Sequence, residues 1–244
     1  MHKKPVHIQA DKEDISPFVV TAGDPGRIKQ LSSLLSNVVL VNENRGFLTY
    51  TGYWKNTRIT VATHGIGGPS SAIVFEELKM LGAEVIVRLG TTGALTPSLN
   101  IGDIIIVLGA AYPRGHLEMY VPDGYIGAVP DFYVTKLLIE TASKYGVNAK
   151  TGIVFSSDAF YTEDEKFVET WSSRNVISVE MECATLFALG LIRNFRTGAM
   201  LIVSNSLAKK VDYIDKEFLK ERVEVAGKIV FDALSMLDSQ SNTQ

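Results

Sequence analysis

Seven short apolar runs, at residues 18–22, 59–62, 85–89, 104–108, 153–155, 177–179 and 199–203, punctuate the 244-residue chain, with helical periodicity between several of them. Runs of this length, rich in Val and Ile, read as buried strands. Strands alternating with helices cover one another's faces, so the pattern predicts an α/β layered fold with a largely parallel or mixed sheet. One helix has clear boundaries: Gly68-Pro69-Ser70 opens it, Val74, Leu78 and Leu81 form its buried stripe, and Gly82 closes it. A second is expected over 216–237, with Phe218, Arg222, Val225, Ala226, Ile229, Ala233 and Leu237 on one packed face. The polar residues 238–244 then read as a frayed tail. No repeat, low-complexity stretch or Pro/Gly/Ser linker interrupts the chain, and one domain over 1–244 is expected.

Polar or glycine-rich segments follow five of these runs: Gly23-Asp24-Pro25-Gly26-Arg27, Thr63-His64-Gly65-Ile66-Gly67-Gly68, Gly90-Thr91-Thr92-Gly93, Ser156-Ser157-Asp158-Ala159-Phe160 and Ser204-Asn205. Ligand sites of α/β sheets collect at the carboxyl ends of strands, so these segments predict one shared pocket. The Gly23–Arg27 segment reads either as an ordinary turn or as a concavity of amides for a small oxyanion, with Arg27 adding forked donors. Arg88, ending an apolar strand, needs an anion, either a core carboxylate or a bound phosphate. Thr91 adds a hydroxyl and an amide beside it. In Val179-Glu180-Met181-Glu182-Cys183 two carboxylates interrupt an apolar run that passes into a helix. Buried carboxylates require cations or hydroxyls, so Glu180 and Glu182 point either to structural ion pairs or to the grip on a sugar diol. His64 reads more readily as a structural hydrogen-bonder than as a catalyst.

Several classes are disfavoured. The formal net charge is −3, and no window combines Lys and Arg with aromatics in the manner of a nucleic-acid groove. The single cysteine, Cys183, forms no intrachain disulfide or cysteine-based zinc site and reads as a small core residue. The four histidines show no metal-ligand spacing. No P-loop, dinucleotide fingerprint or nucleophile elbow is present. No apolar signal segment or membrane-length run is seen, which leads to the expectation of a cytoplasmic protein without membrane contact.

Taken together these motifs resemble the nucleoside phosphorylase family that contains hexameric purine nucleoside phosphorylases, archaeal 5′-methylthioadenosine phosphorylases and uridine phosphorylases. The likeness rests on Pro5-Val6-His7-Ile8, Gly23-Asp24-Pro25-Gly26-Arg27, Asn42-Glu43-Asn44-Arg45-Gly46, Thr63-His64-Gly65-Ile66-Gly67, Val87-Arg88-Leu89-Gly90-Thr91, Phe155-Ser156-Ser157-Asp158-Ala159-Phe160-Tyr161 and Val179-Glu180-Met181-Glu182. Their phrasing is most similar to the archaeal members. The resemblance implies a three-layer α/β/α sandwich around a mixed, partly barrel-like sheet, assembled as a hexamer built as a trimer of dimers with shared sites. It implies phosphate held by Gly23, Arg27, Arg88 and Thr91, with Arg45 from a neighbouring subunit. Ribose would be held by Glu182, through its 2′- and 3′-hydroxyls, and by Met181, with His7 of the neighbour at the 5′ end. The base would stack on Phe160 in a pocket lined by Thr92, Gly93 and Val179. Inorganic phosphate is the implied co-substrate, and no cofactor or metal is called for. The implied catalytic group comprises Arg88, Glu182 and the residue at position 205.

Position 205 departs from the family pattern. Purine-specific relatives carry Asp after the Val-Ser of that strand, whereas this chain has Asn205. An amide donates a hydrogen bond but delivers no proton as a carboxylic acid does. Three readings follow: a preference for 6-oxopurine nucleosides such as inosine and guanosine, a shift to uridine, or a nucleoside-binding protein with weakened catalysis. The uridine enzymes carry a Gln-x-Arg pair after the Phe-Tyr motif, and Thr162-Glu163-Asp164-Glu165-Lys166 does not reproduce it. Water-using nucleosidases need no cluster of Arg27, Arg45 and Arg88.

Overall fold

The computed structural model describes residues 4–162 and 164–241. Nine strands form one mixed sheet in the order β2-β3-β4-β1-β5-β8-β7-β6-β9, and a further pairing of β5 with β9 closes the last five into a ring. The strands are β1 (Phe18–Ala22), β2 (Ser36–Asn42), β3 (Thr49–Trp54), β4 (Thr57–Thr63), β5 (Val85–Ala94), β6 (Ile104–Ala111), β7 (Lys150–Ser156), β8 (Val176–Glu180) and β9 (Arg196–Ser206). All seven anticipated runs lie in strands. The two that were not anticipated, β2 and β3, form the outer wing; β2 carries the apolar run Val38-Val39-Leu40-Val41, which the sequence reading passed over, yet it is solvent-exposed over most of its length.

The helices are α1 (Pro25–Ser32), α2 (Gly68–Met80), α3 (Phe132–Lys144), α4 (Glu165–Ser172), α5 (Cys183–Arg193) and α6 (Lys216–Ser241). Asp24, Asp131 and Asp164 cap α1, α3 and α4 by accepting from backbone N–H groups of the first turn. The frayed tail expected over 238–244 is corrected in part: α6 continues to Ser241. Buried Leu237 anchors its last turns, Thr57 Oγ1 donates to the Asp238 carboxylate at 3.0 Å, and Ser239 Oγ donates to the Ser235 carbonyl. Residues 242–244 lie outside the described residues.

Side chains alternate across the sheet with the two-residue period of strands and build two cores. Val19, Ala62, Ile86, Ile105, Val107, Leu201 and Val203 pack with α2 and α5 on one side. Val20, Val61, Val85, Val87, Ile104, Ile106, Met200 and Ile202 pack with α1, α3 and α6 on the other. The result is the three-layer α/β/α arrangement.

Strand β5 is the seam. Residues 85–88 pair with parallel β1, the whole strand runs beside parallel β9, and Gly93 and Ala94 pair with antiparallel β8. Strands β1, β4 and β5 are mutually parallel, so Gly23, His64 and the end of β5 emerge at the same edge. The register between β5 and β9 shifts after Thr92: Thr92 faces Val203 and Gly93 faces Asn205. Ser204 is therefore the extra residue of a β-bulge, a device that re-aims the next side chain at a barrel rim.

Candidate active site

Arg88 is 4% exposed, near the middle of β5. Its guanidinium folds back over the strand: a Cβ added to Gly90 would lie 2.6 Å from Arg88 Cζ, so only glycine leaves it room. Nε donates to Glu180 Oε2 at 3.2 Å, Nη2 lies 3.1 Å from Glu180 Oε2 and 2.5 Å from Glu182 Oε2, and Nη1 donates to His64 Nε2 at 3.2 Å. Of the partners left open by the sequence, the chain itself supplies carboxylates for Arg88 and a cation for both glutamates.

Glu180, the last residue of β8, is fully satisfied. It accepts from Ser156 Oγ and from the backbone N–H groups of Glu182 and Cys183 as well as from Arg88. Glu182 precedes α5 and is held more sparingly, by Arg88 and by the Gly67 N–H, which donates to its Oε1 at 2.7 Å. Gly67 has φ +84°, a conformation that favours glycine and aims this amide at the carboxylate. Burial pushes the Glu182 carboxyl above the usual carboxylate range, and Glu180 adds to the rise while Arg88 opposes it. Burial also works against the Arg88 charge, but Glu182 and Glu180 outweigh it and keep the guanidinium more firmly protonated than usual.

Arg27, in the first turn of α1, is buried and donates through Nη1 to the Leu89 carbonyl at 3.3 Å. Burial and then the nearby charge of Arg88 lower it to about 10. Two buried arginines repelling one another favour an anion between them. Gly23 adjoins them at the end of β1: a Cβ there would lie 2.8 Å from the Gly65 carbonyl oxygen. Thr91 is half-buried on β5, three residues beyond Arg88. Gly23, Arg27, Arg88 and Thr91 thus come from the adjoining elements β1, α1 and β5.

A second group of expected residues meets where the ring closes. Gly93 stands between Val179 of β8 and Asn205 of β9, and Thr92 Oγ1 donates to the Val179 carbonyl at 2.7 Å. Asn205 is half-buried, and its Oδ1 accepts from Ser204 Oγ at 3.3 Å. A Cβ on Gly93 would meet Asn205 Oδ1 at 3.1 Å and Leu207 Cδ1 at 2.6 Å. Phe160 follows β7, is 51% exposed and meets Tyr161 edge to face at 5.0 Å. Met181, between the two glutamates, lines a small cavity with His116, Asp158 and Ser156. His116 Nε2 lies 2.8 Å from Thr185 Oγ1.

His7 and Arg45 stand apart from this cluster. Glu77 of α2 gathers the N–H groups of Val6, His7 and Ile8 and the His7 Nδ1 at 2.8 Å, while Asn44 Nδ2 donates to the His7 carbonyl at 3.1 Å. Arg45 sits in the adjacent turn at φ +55° and is exposed. Among the described residues no hydrogen bond or ion pair joins His7 or Arg45 to Arg27, Arg88 or Glu182. Sequence reading placed Gly67, Gly90 and Ser156 in pocket-forming segments without giving them a supporting role, and it missed Glu77.

No described helix is long and apolar enough to cross a membrane. The model of the phosphorylase superfamily matches residues 17–235. A guanosine phosphorylase of Halorubrum lacusprofundi is 34% identical over 97% of this chain and 100% of its own length. A uridine phosphorylase of Treponema pallidum is 33% identical over 97% of this chain and 95% of its own. The crystal structure of purine nucleoside phosphorylase from Toxoplasma gondii in complex with immucillin-H superimposes with a TM-score of 0.89 at 29% identity, covering 97% of each chain. The match over most of its length, the ring-closed sheet and the motifs in their order make this chain a member of the phosphorylase superfamily, a pentosyltransferase of the nucleoside phosphorylase kind.

Proposed function

We propose that the protein cleaves the N-glycosidic bond of purine nucleosides with inorganic phosphate, releasing the base and ribose 1-phosphate, and that it favours 6-oxopurine nucleosides. The observation that carries this reading is the junction of Arg88 with Glu182 beside Arg27 at one sheet edge, an anion holder joined to a diol holder.

In this reading phosphate lies against Gly23, Arg27, Arg88 and Thr91, completed by Arg45 of the partner subunit in a hexamer. Glu182 accepts hydrogen bonds from the 2′- and 3′-hydroxyls, Met181 packs on the sugar, and His7 of the partner subunit reaches the 5′ end. As the glycosidic bond stretches, positive charge grows on the ribose and negative charge on the base. Phosphate held by arginines attacks the anomeric carbon from the opposite face, and preorganised charge of this kind is usually the largest catalytic contribution. The base stacks on Phe160 above Thr92, Gly93 and Val179. Asn205 steadies it by donating an amide hydrogen to N7 or to a 6-carbonyl, without transferring a proton. No cofactor takes part.

The likeness to a guanosine phosphorylase supports the 6-oxopurine preference. Similar identity to a uridine phosphorylase favours a second reading, cleavage of uridine. Against it, Asp164 is engaged as the cap of α4, accepting from the Phe167 N–H at 2.8 Å. The test is base release from inosine, guanosine, adenosine, methylthioadenosine and uridine, each with and without phosphate. Phosphate-dependent release from inosine and guanosine is expected; release from uridine alone, release without phosphate, or none at all overturns the proposal. Asn205→Asp restores a proton donor and should raise kcat/KM on adenosine and methylthioadenosine by about tenfold or more. An unchanged value would remove position 205 from leaving-group stabilisation.

A further inference from the structure

His64 is fully buried at the end of β4, yet it reaches two parts of the anion site at once. Its Nε2 lies 3.2 Å from Arg88 Nη1, its Nδ1 lies 2.8 Å from the Gly65 carbonyl oxygen, and its Cε1 would be 3.5 Å from a Cβ on Gly23. A guanidinium has donors only, so Nε2 must present its lone pair and the ring proton must sit on Nδ1, where it donates to the Gly65 oxygen. Gly65, at φ +74°, turns that oxygen toward the ring; a Cβ there would strike Ser70 Oγ at 2.4 Å. The ring is held from elsewhere too: the His64 N–H donates to the Ala22 carbonyl, Ser70 Oγ donates to the His64 carbonyl, and Phe75 meets the ring edge on at 5.5 Å.

We propose that His64 is a positioning residue: as a neutral, Nδ1-protonated imidazole it fixes the Nη1 arm of Arg88 and supports the Gly23 turn, so that both meet phosphate in one geometry. The carboxylates hold Nε and Nη2, leaving Nη1 as the arm that only His64 orients among the described residues. The charged groups acting on the ring are Arg88 on β5 and Arg27 on α1, and both oppose a second ring proton. This assignment rests on reading Arg88 as a phosphate ligand.

The experiment has two arms, both on the full chain. In the first, nitrogen-15 spectra of labelled imidazoles should show His64 with a bare Nε2 and a protonated Nδ1, unchanged between pH 8 and about 5.5. The opposite tautomer, or titration near 6.5, overturns the proposal. In the second, calorimetry with inorganic phosphate and steady-state kinetics compare His64→Leu, which removes both ring partners, with His64→Gln, which keeps an acceptor for Arg88. His64→Leu should weaken phosphate binding and raise its KM roughly tenfold while nucleoside KM stays within about twofold, and His64→Gln should recover most of the loss. Equal rises in both KM values, no rescue by Gln, or wild-type phosphate affinity in the Leu variant overturns it. Wild-type protein that neither binds phosphate nor turns over would instead sink the functional reading itself, and that outcome is visible before any variant is made.

Discussion

The two halves of the site are built differently. On the anion side, Arg88, Glu180, Glu182, Arg27 and His64 are all buried, and Arg88 is tied to both glutamates and to His64 by ion pairs and hydrogen bonds while Arg27 holds the Leu89 carbonyl. On the ring-closure side, Gly93, Val179 and half-buried Asn205 are uncharged, and Phe160 stands half in solvent. The first half turns on Arg88, because removing it leaves two buried carboxylates without their shared cation. The second can change one neutral contact at a time without that penalty. Under the proposed function, this contrast would let base preference change without disturbing the anion half.

The contrast breaks most readily at Arg88. Arg88→Leu strands two buried carboxylates, so it should cost about 3–5 kcal/mol of stability and lower phosphate-dependent base release by about a thousandfold or more. Denaturant unfolding with kinetics checks both, and a variant as stable as the wild type would mean that the cluster is not mutually dependent. Gly93→Ala probes the other half. Its new methyl group presses on Leu207 and Asn205, so nucleoside KM should rise about tenfold with phosphate KM within about twofold, at about 1–3 kcal/mol of stability. Equal changes in both KM values would show that the halves are not separable.

The smallest expected effect is a slope. Burial and then Arg88 hold His64 well below the ordinary imidazole range. Its stabilising contribution is present above pH 6.5, and is lost as pH falls toward the depressed folded value, because the unfolded chain takes up a proton that the folded chain refuses. Wild-type stability should therefore fall more steeply than that of His64→Gln below pH 6.5, by at most about 1.4 kcal/mol per pH unit. Parallel curves from denaturant titrations at several pH values would contradict it.

Much of the architecture was legible because buried strands and capped helices obey short-range rules. The runs at 85–89 and 199–203 announced β5 and β9, and Gly68-Pro69 announced α2. The outer wing was overlooked although β2 carries Val38-Val39-Leu40-Val41, and that this run faces solvent was not readable from its composition. Within the site, charges in apolar runs flagged Arg88, Glu180 and Glu182 as groups needing partners. That they satisfy one another was not readable, because the pairing depends on closure between β5 and β8 across 92 residues. Asn205 was recognisable as a departure, but the bulge at Ser204 that sets it opposite Gly93 leaves no mark in composition or periodicity. The end of α6 was misread because polar residues after Leu237 look like a tail until Thr57 and Asp238 are brought together.

Ring closure also sets a timetable. Strand β5 finds β9 with Val85 beside Arg196 and Gly93 beside Asn205, contacts that span more than a hundred residues of chain. Such pairings form late, after the loop between them has been closed. During synthesis, the half of the chain carrying Gly23, Arg27, His64 and Arg88 is made well before the strand that supplies Asn205. A chain stalled before that strand therefore carries the arginines of the edge without the wall opposite Gly93, and the uncharged half of the site is the last to be completed.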